Sequence, residues 1–166
     1  EPDLPVAAIM PNTSILIDPS LISNFTTHAG QLRNGLNYEY IDENMIADGM
    51  LNRFKAVVLL DGSYLEASTI GLIDQWIRDG GIFIELQNLQ LTSVEGTLAP
   101  WLAELNKTSP STQALADMTY AYGKGYVVHH TGAALAGILD AIVALHEPAE
   151  TAPWGFQIAE ALDAQF

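Results

Sequence analysis

The sequence predicts a doubly wound α/β domain on a mostly parallel sheet, and three observations carry that prediction. Short apolar runs at Val6–Met10, Tyr38–Ile41, Phe54–Leu60 and Ile82–Leu86 alternate with amphipathic helical stripes. The run Phe-Lys-Ala-Val-Val-Leu-Leu at 54–60 is apolar almost throughout, as a strand buried on both faces requires. The chain has 166 residues, of which 49% are hydrophobic, enough for a single core with helices on both faces of the sheet.

Taken in order, Val6 to Met10 reads as a buried strand ended by Pro11-Asn12. Ile15-Leu16-Ile17 precedes Asp18-Pro19, a pair that suits a helix start with Asp as cap and Pro in the first turn. Leu21, Phe25, His28, Ala29, Leu32 and Leu36 then recur at three- and four-residue steps, describing one helical face. Asp42-Glu43-Asn44 opens a short helix reaching about Leu51. Asp61-Gly62-Ser63 is a turn, and Ser63 with Glu66 has the spacing of a capping box. Ile70, Ile73, Trp76 and Ile77 form the next stripe, which Gly80-Gly81 terminates.

Leu98 to Leu105 is expected to be a helix holding Trp101, and Lys107 to Gln113 a polar loop. Met118–Tyr122 and Tyr126–His130 flank Gly123-Lys124-Gly125, which predicts a C-terminal antiparallel hairpin with a three-residue turn. Ala133 to Leu145 predicts a helix on the sheet. The expected division is a domain over 1–146 and a linker with a helical tail over 147–166, packed on the domain or on a partner.

Twenty acidic against six basic residues give a net charge of −14, which excludes a phosphate backbone or an anionic membrane as partner. Zero cysteines exclude disulfides, thiolate metal sites and a thiol nucleophile, but leave the compartment open. No apolar run reaches the roughly 18 residues that a transmembrane helix needs. Glu1-Pro2-Asp3 lacks the basic start of a signal peptide, so the chain is expected to be soluble from synthesis or to have lost a leader or upstream domain. Asn-x-Ser/Thr triplets at Asn12, Asn24 and Asn106 are no more than chance supplies.

The stretch from Gly35 onward reads Gly-Leu-Asn-Tyr-Glu-Tyr-Ile-Asp-Glu-Asn-Met-Ile, then Phe-Lys-Ala-Val-Val-Leu-Leu, then Ile-Asp-Gln-Trp-Ile-Arg-Asp-Gly-Gly-Ile-Phe-Ile. This resembles the class I glutamine amidotransferase-like domain found inside many glycoside hydrolases, as in the trimerisation domain of family 42 β-galactosidases. Tyr-Gly-Lys-Gly-Tyr-Val-Val at 122–128 is similar to the hairpin that closes such domains. The resemblance covers roughly Val6 to Val128 with gaps, and it implies a flavodoxin-like sheet and an accessory role in a carbohydrate-active enzyme. Active members place a cysteine in a tight elbow after a central strand. Here Ile82–Leu86 leads into Gln87-Asn88-Leu89-Gln90, without cysteine, serine or flanking glycine, so glutaminase activity is not implied.

The remaining candidates are few. Asp61, Ser63 and Tyr64 follow the best parallel strand, where ligands of doubly wound sheets gather, and could bind a sugar hydroxyl with Gln87 and Asn88; capping of the next helix is the competing role. Asp42-Glu43 has the same competing role. His129-His130 would point to opposite faces of a strand and cannot easily share a metal, and His28 and His146 read as packed or surface residues. A glycosidase needs two carboxylates across a sugar ring, and no pair stands in a distinctive motif, so no catalytic residue, metal ligand or cofactor is assigned. Gly-Lys-Gly lacks the spacing of a nucleotide-binding loop. Trp76 and Trp101 read as core, whereas Trp154, Phe156 and Phe166 are candidates for an interface. The partners in view are a neighbouring catalytic domain, further copies of the chain, or a carbohydrate. The alternative to an accessory domain is a stand-alone sugar- or small-molecule-binding module using the cleft near Asp61.

Overall fold

The computed structural model describes residues 5–34, 37–86, 91–108 and 119–130. Its main sheet has six strands: β1 (Val6–Ile9), β2 (Glu39–Ile41), β3 (Ala56–Leu59), β5 (Ile82–Leu86), β7 (Thr119–Tyr122) and β8 (Gly125–His130). They lie in the order β2-β1-β3-β5-β8-β7, parallel throughout except for the antiparallel β8–β7 pair. A second, two-stranded sheet joins β4 (Tyr64–Leu65) and β6 (Thr92–Ser93). The doubly wound expectation therefore holds. The first five strands of the main sheet follow the 2-1-3-4-5 order of flavodoxin-like folds.

Helices α1 (Asn12–Ile17) and α2 (Leu21–Arg33) follow β1, α3 (Glu43–Ala47) follows β2, α4 (Ala67–Arg78) follows β4, and α5 (Pro100–Thr108) follows β6. The crossover from β1 to β2 runs opposite to those from β2 to β3 and from β3 to β5. Right-handed connections then put α2 on one face and α3 and α4 on the other. Ala7, Ile9, Val57, Leu59, Phe83 and Val127 alternate along their strands to meet Ile46, Ile73, Trp76, Ile77 and Trp101 in one apolar cluster. Trp76 and Trp101 are core, as the helical spacing predicts.

Four local expectations need correction. Helix α2 begins at Leu21, after Ser20, and Asp18 instead holds the preceding turn by accepting from the N–H and hydroxyl of Ser20. Ser63 does not cap α4. The chain spends Tyr64–Leu65 in a strand first, and α4 starts at Ala67 behind Glu66, without a side-chain cap. Asp61 does not cap it either, because its carboxylate is taken by His28. The hairpin turn has two residues, since Tyr122 and Gly125 are paired across it.

Gly125 has a packing reason as well as a turn reason: a Cβ there would fall on the carbonyl oxygens of Ile77 and Gly81. The N–H of Lys124 donates to the Arg78 carbonyl at 2.8 Å, so the hairpin also satisfies the last turn of α4. Arg78, Asp74 and Tyr122 tie the same two elements together through side-chain hydrogen bonds. The predicted helix over 133–145, the tail over 147–166, His146, Trp154, Phe156 and Phe166 lie outside the described residues.

Candidate functional site

In a doubly wound sheet the ligand crevice opens beyond the carboxyl ends of the two strands where the connections reverse direction. Here those strands are β1 and β3. The chain fills that position with its own atoms. Ser14, on α1, donates through Oγ to the Tyr64 carbonyl at 2.5 Å and accepts from the Tyr64 N–H at 2.9 Å. Gly62 has φ of +96° and sits so close to α1 that a Cβ would lie 2.7 Å from Ser14 Oγ and 2.9 Å from Pro11 Cβ. Only glycine lets the two loops meet in this way.

Glu43 locks the same corner. Asp42 caps α3 by accepting from the Met45 N–H at 2.8 Å, which sets Glu43 in the first turn, 8% exposed. Its Oε1 accepts from the Thr13 N–H at 2.8 Å. Its Oε2 accepts from the Glu66 N–H and the Thr69 hydroxyl, both at 3.2 Å. One carboxylate thus ties together α1, α3 and the start of α4. Its role in this corner is structural, as the common acceptor of three donors.

Asp61 stands just past β3, and its Oδ2 lies 2.8 Å from Nδ1 of His28 on α2. Burial pushes the Asp61 carboxyl above its ordinary range, and the hydrogen bond from His28 opposes that rise. The reading of His28 as a merely packed or surface residue missed this pair, which joins positions 33 apart in sequence. Ser63 contributes its backbone carbonyl, which accepts from the Thr92 N–H at 2.9 Å. Tyr64 is 40% exposed beside this loop. The structure therefore gathers Asp61, Ser63 and Tyr64 at one strand end, while Gln87 and Asn88 lie outside the described residues.

Glu85, which the sequence reading passed over, is fully buried near the end of β5. Trp101 Nε1 donates to its Oε1 at 3.0 Å, and burial pushes its pKa from 4.5 to about 8. The available signal was a lone carboxylate in Ile-Phe-Ile-Glu-Leu, a strand otherwise apolar. A separate open pocket of about 380 Å³ lies between α4 and the β6–α5 segment, with Ile70, Gly71, Leu98 and Pro100 among its lining residues. Among the described residues that line it, Glu95 is the one carboxylate. Among the described residues, no group of three or more His, Asp or Glu side chains is placed to hold a metal ion, and no helix is long and apolar enough to cross a membrane.

No family model matches the chain, and no curated protein matches its sequence. Among solved structures the chain is similar to Gan42B, a GH42 β-galactosidase, with a TM-score of 0.51 and 10% identity. The match covers 76% of this chain and 27% of that enzyme's. At that identity the likeness is one of fold. This chain corresponds to about a quarter of the β-galactosidase's length.

Proposed function

We propose that this chain is a non-catalytic, amidotransferase-like accessory domain of a carbohydrate-active enzyme of the glycoside hydrolase type. It supports oligomerisation or borders the active site of a neighbouring domain. The observation that carries the reading is the fold shared with a quarter-length part of a GH42 β-galactosidase. The contacts at the switch point support the non-catalytic half of it, because Ser14, Gly62 and Glu43 occupy the place where a ligand would sit. A cysteine-free sequence has no thiol for glutamine hydrolysis. On this reading the domain runs over 1–146, with 147–166 as a tail and Trp154, Phe156 and Phe166 as its contact residues.

The purified chain, assayed with aryl galactosides and glucosides, is expected to release no phenol above the uncatalysed rate. Hydrolysis that disappears in Asp61→Asn would overturn the proposal and make this chain a hydrolase.

A binding module is the second reading, and one observation favours it: the His28–Asp61 pair beside exposed Tyr64 offers two polar groups and a ring face at a strand end. Titrating galactose into labelled chain separates the two. Saturable shifts at Tyr64 and His28 support the binding module, and an unchanged spectrum supports the accessory domain.

A further inference from the structure

Two depressions of about 210 and 230 Å³ adjoin at the amino ends of the strands and share Asn52, Trp76 and Asp79. Leu51 and Leu72 wall the first, and Lys55 and Gly81 border the second. Lys55 directly precedes β3 and Gly81 directly precedes β5, so this groove lies at the opposite end of the sheet from the switch point. Asn52 reaches it from a short 3-10 helix, Met50–Arg53, and Gln75 and Asp79 from the end of α4.

The shared middle of the groove is held in place by the fold. A Cβ on Gly81 would fall on the Trp76 ring, so glycine lets the indole rest against the backbone, where it is 8% exposed. Gln75 Nε2 donates to Asp79 Oδ1 at 3.1 Å across one helical turn, which orients both planar groups. Gln75 Oε1, Asp79 Oδ2 and the Asn52 amide have no hydrogen-bond partner among the described residues. Among the described lining residues the charged ones are Lys55 and Asp79, opposite in sign, although the chain as a whole carries −14. A lining balanced in charge favours neither an anion nor a cation.

We propose that this groove binds a disaccharide unit of a neutral glycan, one sugar ring in each depression. The Asn52 and Gln75 amides and the Asp79 carboxylate supply the mixed donors and acceptors that sugar hydroxyls need. Leu51, Leu72 and the margin of the Trp76 ring supply the apolar wall that the C–H faces of a sugar need. Because the Gln75–Asp79 bond already fixes two of the polar groups, less ordering remains to be done on binding. A single ring engages one depression, whereas a linked second ring adds its contacts at high effective concentration. The proposal deepens the accessory reading and rests on it for the choice of glycan. It gives the domain a carbohydrate contact of its own, away from the closed switch point.

Amide NMR of the full chain, titrated with lactose, cellobiose or galactose up to about 10 mM, tests this. The expected result is saturable movement of the Asn52 and Gln75 side-chain amides and the Trp76 indole N–H with at least one disaccharide. Galactose at the same concentrations should leave these signals in place, and none of the three sugars should move His28 or Tyr64. Asn52→Ala and, separately, Gln75→Ala should each weaken disaccharide binding at least about fivefold, read at the remaining reporters. Both side chains are exposed, so melting curves should be nearly unchanged, which separates lost binding from lost folding. The proposal is overturned if neither disaccharide moves the groove signals, if galactose moves them equally, or if either variant binds as the parent does. Hydrolysis of aryl glycosides by the chain would sink the accessory reading and leave shifts at Asn52 and Trp76 standing, so the two failures are distinguishable.

Discussion

The β1–β3 side of the sheet and its β5 end each bury a glutamate, and the chain handles the two in opposite ways. Glu43 sits where α1, α3 and α4 converge and accepts hydrogen bonds from two backbone N–H groups and one hydroxyl. Glu85 lies in an apolar strand, against the Phe83–Trp101 ring pair, with the Trp101 indole as a donor. A carboxylate that accepts from several backbone and side-chain donors holds loops together, whereas burial in a central strand pushes the other toward its neutral form. The difference teaches that burial alone does not mark a functional carboxylate.

Removing the donors' common acceptor should have the largest effect. Glu43→Ala leaves the Thr13 and Glu66 N–H groups and the Thr69 hydroxyl without it, and is expected to cost about 4 kcal/mol in urea denaturation. A loss under about 1 kcal/mol would show that water replaces the carboxylate and that the corner is open.

Glu85 should instead reveal itself through pH. Its pKa rises from 4.5 to about 8 on folding, so the native state holds a proton that the unfolded state releases. Its contribution to stability is fully present below pH 4.5 and declines as pH climbs toward 8. Glu85→Gln removes this dependence, so the variant should gain on the parent by on the order of 3 kcal/mol between pH 5 and pH 8. Parallel stability curves for the two proteins would mean that Glu85 is ionised in the fold.

Gly62→Ala probes the seal between the loops. The positive φ and the clash with Ser14 and Pro11 predict a loss of about 2 kcal/mol, read from the denaturation midpoint. The smallest effect belongs to His28→Ala, which removes the hydrogen bond to Asp61 from a side chain 35% exposed, for about 0.5 kcal/mol near neutral pH.

The backbone was far more legible than the site. Ala56–Leu59 is a strand because apolar, largely β-branched residues run without interruption, Ile82–Leu86 because only Glu85 breaks such a run, and that pattern is local. The two glycines of the hairpin announced a turn, although the reason that only glycine fits at Gly125, contact with the end of α4, depends on a distant helix. The Ser63–Glu66 spacing misled because a capping box is also ordinary loop composition, and here pairing of β4 with β6 delays the helix. The contacts of Glu43 span up to 30 positions, and the His28–Asp61 pair spans 33. Nothing within a helical turn of either residue encodes the partner, so no periodicity could expose them.

Native-state hydrogen exchange at two amides tests most directly whether the switch point is closed by the protein itself. The Thr13 N–H is bonded to Glu43 and the Tyr64 N–H to Ser14 Oγ, both at the crevice position. A sealed, structural corner predicts that both exchange as slowly as the amides of β3, and that added galactose leaves their rates unchanged. Rapid exchange at both amides that slows when the sugar is added would contradict the account, because it would reveal an open, ligand-binding crevice.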